Sequence, residues 1–398
     1  MGLSGGVDSA VSAALLKKQG FEVVGVFIKT WHPEFLECNE EEERRDAMRV
    51  AAFLDIPFLT FDFEKVYKRE VADYMIREYR AGRTPNPDVM CNKEVKFGAF
   101  LKKALAIGAN FVATGHYAMV KENIFQEATG GGVPFRAKTR NGVKELREKI
   151  FSFNRGKDTT KDQSYFLWTL RQEQLNKILF PIGHLKKTEV RRLAKKFNLP
   201  VAEKKDSQGI CFLGAVDLKE FLKHYIKEKK GKVVLAPQQA GNEQGKEIGF
   251  HSGAVFHTLG ERHGFTITKK SPTDGPYYVV GKDVKKNILI VSQNPARVVL
   301  AEYTYPASPY VGGGEGGGLT LKNTNWINEI PDPSKRYIAQ IRYHGKFLPC
   351  KVEIAGKTKA KVIFTQTASG LPAKTLVAAG QSCVVYDGDI CLGGGVVI

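Results

Sequence analysis

The sequence predicts an α/β fold: a doubly wound parallel sheet, then a small mixed middle domain and a C-terminal antiparallel β-barrel-like domain. Up to about residue 200, apolar strand-like runs alternate with helical patterns, which is typical of βαβ units. A glycine-rich turn opens the first helix, as it does at many anion-binding sites. After residue 210 the pattern changes to short β-rich segments separated by Gly and Pro turns, which is typical of antiparallel barrels or sandwiches.

Composition narrows the class of protein. The 398 residues give room for two or three domains, each with its own core. Lys and Arg number 60 against 42 Asp and Glu, a net charge of +18, which favours RNA or DNA as a partner; a contribution to solubility alone is the alternative. No apolar run approaches the ~20 residues of a membrane helix, and six cysteines show no paired spacing. We therefore expect a cytoplasmic protein with no membrane segment and, since Met1 leads straight into the glycine-rich turn, no signal peptide.

The first domain is predicted over residues 1–209. Apolar runs predict strands at 21–28, 57–63 and 110–114, and helical periodicity predicts helices at 9–17, 41–54, 67–80 and 94–107. Ligands of doubly wound sheets bind at the carboxyl ends of the strands. Residues 2–9 and 114–117 lie at such ends, so we expect a site there.

Two later segments of this domain have a different character. Residues 122–158 are polar and basic and contain three consecutive glycines, so we predict a surface insertion. From 161 to about 200 the pattern is helical again. Its segment 186–196, with Thr188 as a cap candidate, carries six basic residues in eleven, which fits either a solvated helix face or a contact with RNA.

The rest of the chain is divided by its change in pattern. We assign 210–295 to the small middle domain, with one helix at 217–229. We assign 296–398 to the C-terminal β domain, in which the glycine-rich run at 312–318 is an insertion that is flexible by composition.

The glycine-rich turn reads S-G-G-V-D-S at 4–9 and lacks the G-x-x-x-x-G-K-[ST] pattern of kinases and GTPases. Its glycines let backbone amides approach phosphate groups, and the hydroxyls of Ser4 and Ser9 can donate hydrogen bonds. Asp8 is placed to help hold Mg²⁺, although an aspartate that caps the turn is the alternative.

Two cysteines lie in settings that favour thiolates. Cys91 follows Asp88 at the predicted start of a helix, a position that lowers the pKa of a thiol. Neighbouring prolines stiffen the chain that leads to it. Cys211 follows two lysines and a glycine turn, an electropositive and mobile setting. Neither cysteine has a C-x-x-C neighbour or a His at ligand spacing, so we name no metal site. Each alone could be an inert buried cysteine, but beside a phosphate loop in a basic chain the pair favours sulfur chemistry.

The motif S-G-G-V-D-S, in a domain of alternating strands and helices, resembles that of the PP-loop ATP pyrophosphatases. These proteins have the adenine nucleotide alpha-hydrolase-like fold and cleave ATP to AMP and pyrophosphate. Over nearly the whole chain the sequence resembles the tRNA-specific 2-thiouridylase (MnmA-type) family. The motifs that carry this resemblance are L-S-G-G-V-D-S (3–9), N-P-D-V-M-C-N-K-E-V-K-F (86–97), A-T-G-H-Y-A (113–118), K-D-Q-S-Y-F-L (161–167), D-S-Q-G-I-C-F (206–212), I-R-Y (341–343), G-Q-S-C-V-V-Y (380–386) and C-L-G-G-G (391–395).

The resemblance implies ATP-dependent 2-thiolation of the wobble uridine of tRNA, with ATP and Mg²⁺ as cofactors. It implies a persulfide on Cys211 that is loaded by a sulfur-relay protein or a cysteine desulfurase, Cys91 as the partner thiol in a transient disulfide, and Asp88 as general acid/base or base-orienting group. The implied ATP site is Gly2, Leu3, Ser4, Gly5, Gly6, Val7, Asp8, Ser9, Ile28 and Gly115. The implied tRNA contacts are Asn86, Pro87, Asp88, His116, Lys161, Asp162, Gln163, Arg342, Tyr343 and Gln381.

Plainer interpretations remain for two of these contacts. Arg342 and Tyr343 could be an ordinary strand pair, and His116 a satisfied structural histidine. Two rival functions also remain: a PP-loop tRNA ligase of the lysidine synthetase type, which needs no cysteine pair, and a non-catalytic tRNA-binding relative.

The chain departs from the family pattern in two places. Family members have a strand before the PP-loop where this chain has only Met1, so we expect about six missing residues, the usual strand length, and an open position in the sheet. Residues 257–265, H-T-L-G-E-R-H-G-F, keep only part of the family's T-I-G-Q-R-x-G-L motif.

Overall fold

The computed structural model describes residues 1–36, 39–123, 136–139, 142–145, 150–206, 211, 217–236, 245–269, 274–293, 318–365 and 377–398. Within these ranges an α/β domain is followed by a small β-rich domain and a closed antiparallel barrel. The predicted fold class is therefore confirmed. Among the described residues, no helix combines the length and the apolar character that crossing a bilayer requires.

The first domain contains eight α-helices and eight strands among its described residues. The helices are α1 (Val7–Lys18), α2 (Glu40–Phe53), α3 (Glu64–Tyr67), α4 (Asp73–Arg80), α5 (Pro87–Met90), α6 (Leu101–Ala106), α7 (Gln172–Leu175) and α8 (Lys187–Lys196). The strands are β1 (Gly25–Lys29), β2 (Phe58–Asp62), β3 (Val112–Ala113), β4 (Ala118–Asn123), β5 (Arg136–Thr139), β6 (Gly142–Glu145), β7 (Ile150–Arg155) and β8 (Ile178–Leu179). Shorter helical pieces are π-helices at Lys68–Ala72 and Cys91–Phe100 and a 3₁₀ turn at Ser164–Phe166.

The first three residues join the two halves of the parallel sheet. β1 pairs in parallel with β2, and β3 with β8. Between these pairs, the amide of Val26 donates to the carbonyl of Met1 at 2.8 Å, and Gly2 donates to Ala113 at 2.9 Å on the other side. The position that we expected to be open beside the glycine-rich turn is thus filled by residues 1–3.

The segment from 161 to 200 does not form the continuous helical run that its pattern predicts. Only α7 and α8 are α-helical, and between them β8 pairs with β3. The reason is tertiary: the buried Tyr165 and Trp168 donate from their side chains to the backbone oxygen (2.9 Å) and the hydroxyl (3.1 Å) of Ser382 in the barrel. These aromatic side chains tie the segment to the interface between two domains. Thr188, the predicted cap, lies inside α8, whose cap is Lys186.

The predicted helix at 94–107 begins earlier and is not α-helical throughout. It runs from α5 through the π-helix Cys91–Phe100 into α6. The Asn86 side chain caps its start by accepting a hydrogen bond from the amide of Val89 at 3.2 Å, and Pro87 occupies the first turn. Because a π-helical hydrogen bond joins residues five apart, this stretch presents a different face from an α-helix.

The predicted surface insertion ends in a core strand. β4 pairs with β7 over their whole lengths, and Phe153 at the centre of β7 is fully buried. Between them, β5 pairs antiparallel with β6, while the glycines of this segment lie outside the described residues. The final residues of the predicted insertion are therefore part of the hydrophobic core.

The middle domain is a five-stranded sheet with one short helix among its described residues. Its elements are α9 (Leu218–Lys223), β9 (Gly231–Leu235), β10 (Glu247–His251), a 3₁₀ turn at Ala254–Phe256, β11 (Phe265–Ile267), β12 (Tyr278–Asp283) and β13 (Ile288–Ser292). The strand order is β11-β10-β9-β13-β12, in which β9 and β13 are parallel. The predicted helix is shorter than expected, and Asp217 caps it through the amides of Lys219 and Glu220.

The described residues of the C-terminal domain form a closed barrel of six antiparallel strands. These are β14 (Gly318–Trp326), β15 (Tyr337–Gln340), β16 (Leu348–Ile354), β17 (Lys359–Phe364), β18 (Ser382–Asp387) and β19 (Ile390–Val397). Pairing of β14 with β19 closes the barrel, and β19 also pairs with β7 of the first domain at Asn154. The glycine-rich run at 312–318 lies outside the described residues apart from Gly318.

Burial of Phe153 can be tested by truncation. We expect Phe153→Ala to lower the free energy of unfolding by about 3–5 kcal/mol, the usual cost of emptying a buried Phe site. Phe53→Ala, at a residue that is half exposed, is the matched control and should cost less than about 1 kcal/mol. Urea unfolding followed by circular dichroism measures both, and equal costs would contradict the core position of β7.

Candidate functional site

One cavity of about 1160 Å³ brings together the glycine-rich turn and the second cysteine. Its lining includes most of the predicted nucleotide-site residues, at the carboxyl end of the parallel strands. The predicted residues that line it are Gly2, Leu3, Ser4, Gly6, Val7, Asp8, Ser9, Ile28, Asp88, Gly115, His116, Lys161, Gln163, Cys211 and Tyr343. Cys91 lies behind this lining and is fully buried.

The turn is built for close approach of a ligand to the backbone. Gly5 has φ +72°, and a side chain on it would collide with the carbonyl of Glu43. A Cβ on Gly115 would lie 2.8 Å from the amide nitrogen of Ser9, so this glycine keeps the neighbouring strand end close. No side chain caps the start of α1, which leaves backbone amides at the turn for an anion. The residues therefore fit a bound phosphate chain.

The hydroxyl of Ser9 stabilises the turn itself. It donates to the carbonyl of Gly6 at 3.0 Å and accepts from the amide of Ser4 at 3.3 Å. Ser9 is buried, whereas Ser4 is exposed to the cavity. Of the two hydroxyls expected to donate to a ligand, only that of Ser4 is placed to do so.

Asp8 has cationic and hydroxyl partners. Lys187 Nζ lies 2.8 Å from both carboxylate oxygens, and the Tyr117 hydroxyl donates to one of them at 2.7 Å. Among the described residues, no three His, Cys, Asp or Glu side chains gather where they could hold a metal ion. A magnesium ion that arrives with a nucleotide is held by one or two carboxylates together with phosphate oxygens, so the expected magnesium role of Asp8 stays a prediction.

Lys187 is a site residue that the sequence analysis missed. It lies in the basic segment that we interpreted as a solvated face or an RNA contact, but it binds Asp8 and lies 2.9 Å from Asp206. Asp206 is also 3.0 Å from Lys161, and Arg191 contacts it. Nothing distinguishes Lys187 from the other lysines of its segment, so no sequence signal could have found it.

The two predicted cysteines meet. Cys91 Sγ lies 3.5 Å from Cys211 Sγ, although 120 positions separate them in the sequence, and both are free thiols. The Tyr67 hydroxyl donates to the carbonyl of Cys211 at 2.7 Å, and Asp88 Oδ1 accepts from its amide at 2.9 Å. These two bonds hold Cys211 from both sides of its peptide.

The two sulfurs differ in acidity. Burial raises the pKa of the Cys91 thiol well above its ordinary value, so the expected thiolate at a helix start is wrong here. The hydrogen bond from Cys91 lowers the pKa of Cys211, and the nearby Lys96 lowers it further against the effect of burial. Cys211 is thus the more acidic thiol of the pair, and the cation that lowers its pKa is Lys96 rather than the two lysines that precede it in the sequence.

Asp88 is a carboxyl group in a partly buried setting. Burial raises its pKa, and the Cys211 amide and Lys96 oppose this shift. A carboxyl group whose pKa is raised toward neutrality can exchange a proton with a bound ligand.

Several predicted RNA-contact residues do not line the cavity: Asn86, Pro87, Asp162, Arg342 and Gln381. Asp162 is buried and accepts from the amides of Gly156 and Ser164 at 2.9 and 3.1 Å, which is a structural role. Gln381 Nε2 donates to the carbonyl of Thr84 at 2.9 Å.

The structure also bears on the plainer interpretations of Arg342, Tyr343 and His116. Arg342 and Tyr343 follow β15 in a turn, so they are not an ordinary strand pair. His116 is buried and its Nδ1 lies 2.7 Å from Thr114 Oγ1, as for a structural histidine, although its ring also lines the cavity.

Aromatic side chains form two further parts of the lining. The ring of Tyr343 lies 4.4 Å from that of Phe166 and 3.9 Å from that of His344. Elsewhere in the cavity, Phe35 stacks on His224 with ring centroids 3.6 Å apart and planes 9° from parallel. Exposed aromatic faces of this kind are the surfaces on which unstacked bases bind.

The glycine-rich turn at the strand ends and the adjoining pair of sulfurs define a PP-loop α/β protein with two appended β domains. Family models match all three parts: the tRNA methyl transferase HUP domain over 1–215, the tRNA methyl transferase PRC-barrel domain over 219–293, and the aminomethyltransferase beta-barrel domain over 317–397.

Curated relatives narrow the family further. The chain is 41% identical to the tRNA-specific 2-thiouridylase MnmA of Geobacillus thermodenitrificans, and the match covers the whole of this chain and 93% of that protein. It is 40% identical to the MnmA of Streptococcus thermophilus, again over its full length and 94% of that protein. The chain therefore belongs to the MnmA family of tRNA-specific 2-thiouridylases.

The ion-pair network around Asp206 predicts a dependence of stability on pH. Burial raises the pKa of Asp206, but Lys187 and Lys161 outweigh it and hold the pKa below its ordinary value. The stabilisation is therefore present above the unfolded pKa of about 3.9 and is lost as the pH falls further. Asp206→Asn should lower the free energy of unfolding by roughly 1 kcal/mol at pH 7, after allowance for solvent screening.

Urea unfolding between pH 3.5 and 8 measures this effect. The difference between the original chain and Asp206→Asn should shrink below about pH 4, where the unfolded carboxylate takes up a proton. Asp387→Asn, at an exposed aspartate at the end of β18, is the control. A difference that grew toward low pH would contradict the network.

Proposed function

We propose that this chain is an ATP-dependent sulfurtransferase that converts the wobble uridine of tRNA to 2-thiouridine. The observation that carries the proposal is the 3.5 Å approach of Cys91 and Cys211 beside a cavity that begins at the glycine-rich turn. The names of the curated relatives support thiolation, whereas those of two matching family models refer to methyl transfer. Methyl transfer from a sulfonium donor needs no phosphate-binding turn, so the site favours thiolation.

ATP supplies the activation step. The oxygen on carbon 2 of uracil is a poor leaving group, and its adenylation, with release of pyrophosphate, turns it into a good one. In our proposal residues 2–9, Ile28 and Gly115 bind ATP, with the backbone amides of the turn on the phosphates. Lys187 stands beside the turn, where its ammonium group can neutralise phosphate charge.

Cys211 and Cys91 then divide the sulfur chemistry. The terminal sulfur of a Cys211 persulfide attacks carbon 2 and AMP leaves, which links the base to Cys211 through two sulfurs. Cys91 attacks the Cys211 sulfur, the bond between the two sulfurs breaks, and 2-thiouridine and a Cys91–Cys211 disulfide result. Asp88 takes or gives the proton in these steps. A cellular dithiol reduces the disulfide and is itself oxidised to a disulfide, and the persulfide of a sulfur-relay protein or cysteine desulfurase then reloads Cys211.

Charge and aromatic surface support tRNA as the substrate. The net charge of +18 suits a polyanion. A uridine flipped out of the anticodon loop can enter the cavity between the strand ends and the ring of Tyr343. The tRNA contacts that we propose are those expected from the sequence; of these, Asp88, His116, Lys161, Gln163 and Tyr343 line the cavity. Reduced thiols, tRNA and ATP are all found in the cytoplasm, where we place the protein.

The test is thiolation in vitro. Unmodified tRNA is incubated with the protein, Mg-ATP and a persulfide donor, and 2-thiouridine is measured by mass spectrometry of the nucleosides. We expect product from the original chain and from Cys350→Ala, a buried barrel cysteine, and none from Cys211→Ser or Cys91→Ser. Pyrophosphate release without a need for either cysteine would favour a lysidine synthetase-type ligase. Salt-sensitive tRNA binding without pyrophosphate release would favour a non-catalytic relative.

The role of Asp88 predicts the effect of an isosteric change. Asp88→Asn keeps an oxygen that can accept from the Cys211 amide but cannot exchange a proton. We expect kcat to fall by about 10²-fold or more, with a much smaller change in tRNA affinity, since the amide keeps the size and the accepting oxygen of a side chain that we also propose as a tRNA contact. Single-turnover thiolation and filter binding measure the two quantities, and an unchanged kcat would remove Asp88 from the chemistry.

A further inference from the structure

Lys96 is placed at the sulfur pair by the π-helix. It follows Cys91 by five residues, and a π-helical turn brings residues five apart onto one face. In an α-helix the same spacing would leave the two side chains about 140° apart around the axis. With this geometry Lys96 lines the cavity together with Asp88 and Cys211.

The contacts of Lys96 fix what its ammonium group can do. It hydrogen-bonds the side chain of Cys211, and its Nζ lies 3.5 Å from His116 Nε2. Burial and the nearby Lys96 lower the pKa of His116 well below its ordinary value, so the ring is neutral. A neutral ring can accept from Lys96 at Nε2 while its Nδ1 donates to Thr114 Oγ1. The ammonium is therefore held in place toward the sulfur.

Within the part of the chain that the structure describes, four groups contact Cys211 or shift its pKa. From the π-helix they are Cys91 and Lys96, from α5 Asp88, and from the end of α3 Tyr67. Lys96 is the cation in this set. Burial lowers its pKa, but the sulfurs of Cys211 and Cys91 outweigh burial and hold its pKa above the ordinary value. The charge of Lys96 is thus coupled to these sulfurs.

We propose that Lys96 is the counter-ion that keeps the Cys211 sulfur anionic, so that Cys211 can accept sulfur from a persulfide donor. The thiolate of Cys211 attacks the outer sulfur of the donor persulfide. A sulfur–sulfur bond to Cys211 forms, the bond within the donor breaks, and the donor leaves as a thiolate. This role rests on the proposed function, but the acidity that it requires is a property of the protein alone.

The experiment measures that acidity directly in the full-length chain. The rate of alkylation by iodoacetamide is followed between pH 5 and 10, with mass spectrometry of the peptide that contains Cys211. We expect the inflection in Lys96→Met and in Lys96→Gln to move up by roughly one pH unit, the effect of losing one nearby charge. At a pH below both inflections this is a loss of about tenfold in rate. Lys93→Met, which removes an exposed lysine from the same helix, should leave the inflection unchanged.

Lys96→Arg separates charge from packing. It keeps a cation at the site, so its inflection should lie closer to that of the original chain than to that of Lys96→Met. An inflection unchanged in both neutral variants, or moved as far by Lys96→Arg as by Lys96→Met, would overturn the proposal. Alkylation uses no ATP, tRNA or sulfur donor, so this result is independent of whether the chain thiolates tRNA.

Discussion

The rest of the site depends on contact between two sulfurs from distant parts of the chain. Burial alone would keep both thiols protonated, and the contact breaks this symmetry because Cys91 donates to Cys211. The surrounding features serve that contact: the π-helix turns Lys96 toward it, and Tyr67 and Asp88 fix the peptide of Cys211. Cys211 therefore has a defined position beside Cys91, although 120 positions separate the two in the sequence.

Thr84, which lies shortly before Cys91 in the first domain, makes hydrogen bonds to both of the other domains. The amide of Thr84 donates to the carbonyl of Ala379 in the C-terminal domain at 2.8 Å, and its carbonyl accepts from Gln381. Its hydroxyl lies 3.1 Å from that of Thr258 in the middle domain. Gln381, which the family resemblance implies as a tRNA contact, thus also positions the segment that leads into α5 and Cys91.

Much of the fold was predictable because its signals are local. The glycine-rich turn and Cys91 lie in short motifs, and alternation of strands and helices predicted the parallel sheet. Lys96 and Lys187 were not predictable, since nothing separates them from the other lysines until the chain is folded. The helix predicted from 161 to 200 was wrong for another reason. The buried aromatic residues of this segment pack at an interface between domains, and their spacing resembles that of a helix.

The strand pairing that links β7 to β19 has a mechanical consequence. Backbone hydrogen bonds cross between the first domain and the barrel at Asn154, and the side chains of Tyr165 and Trp168 cross the same boundary. A hinge at this boundary would have to break these hydrogen bonds and expose buried polar groups, each at a cost of about 1–3 kcal/mol. These contacts consequently oppose relative motion of the two domains. A large ligand that spans them meets an ordered surface, so little of its binding energy is spent on arranging the protein.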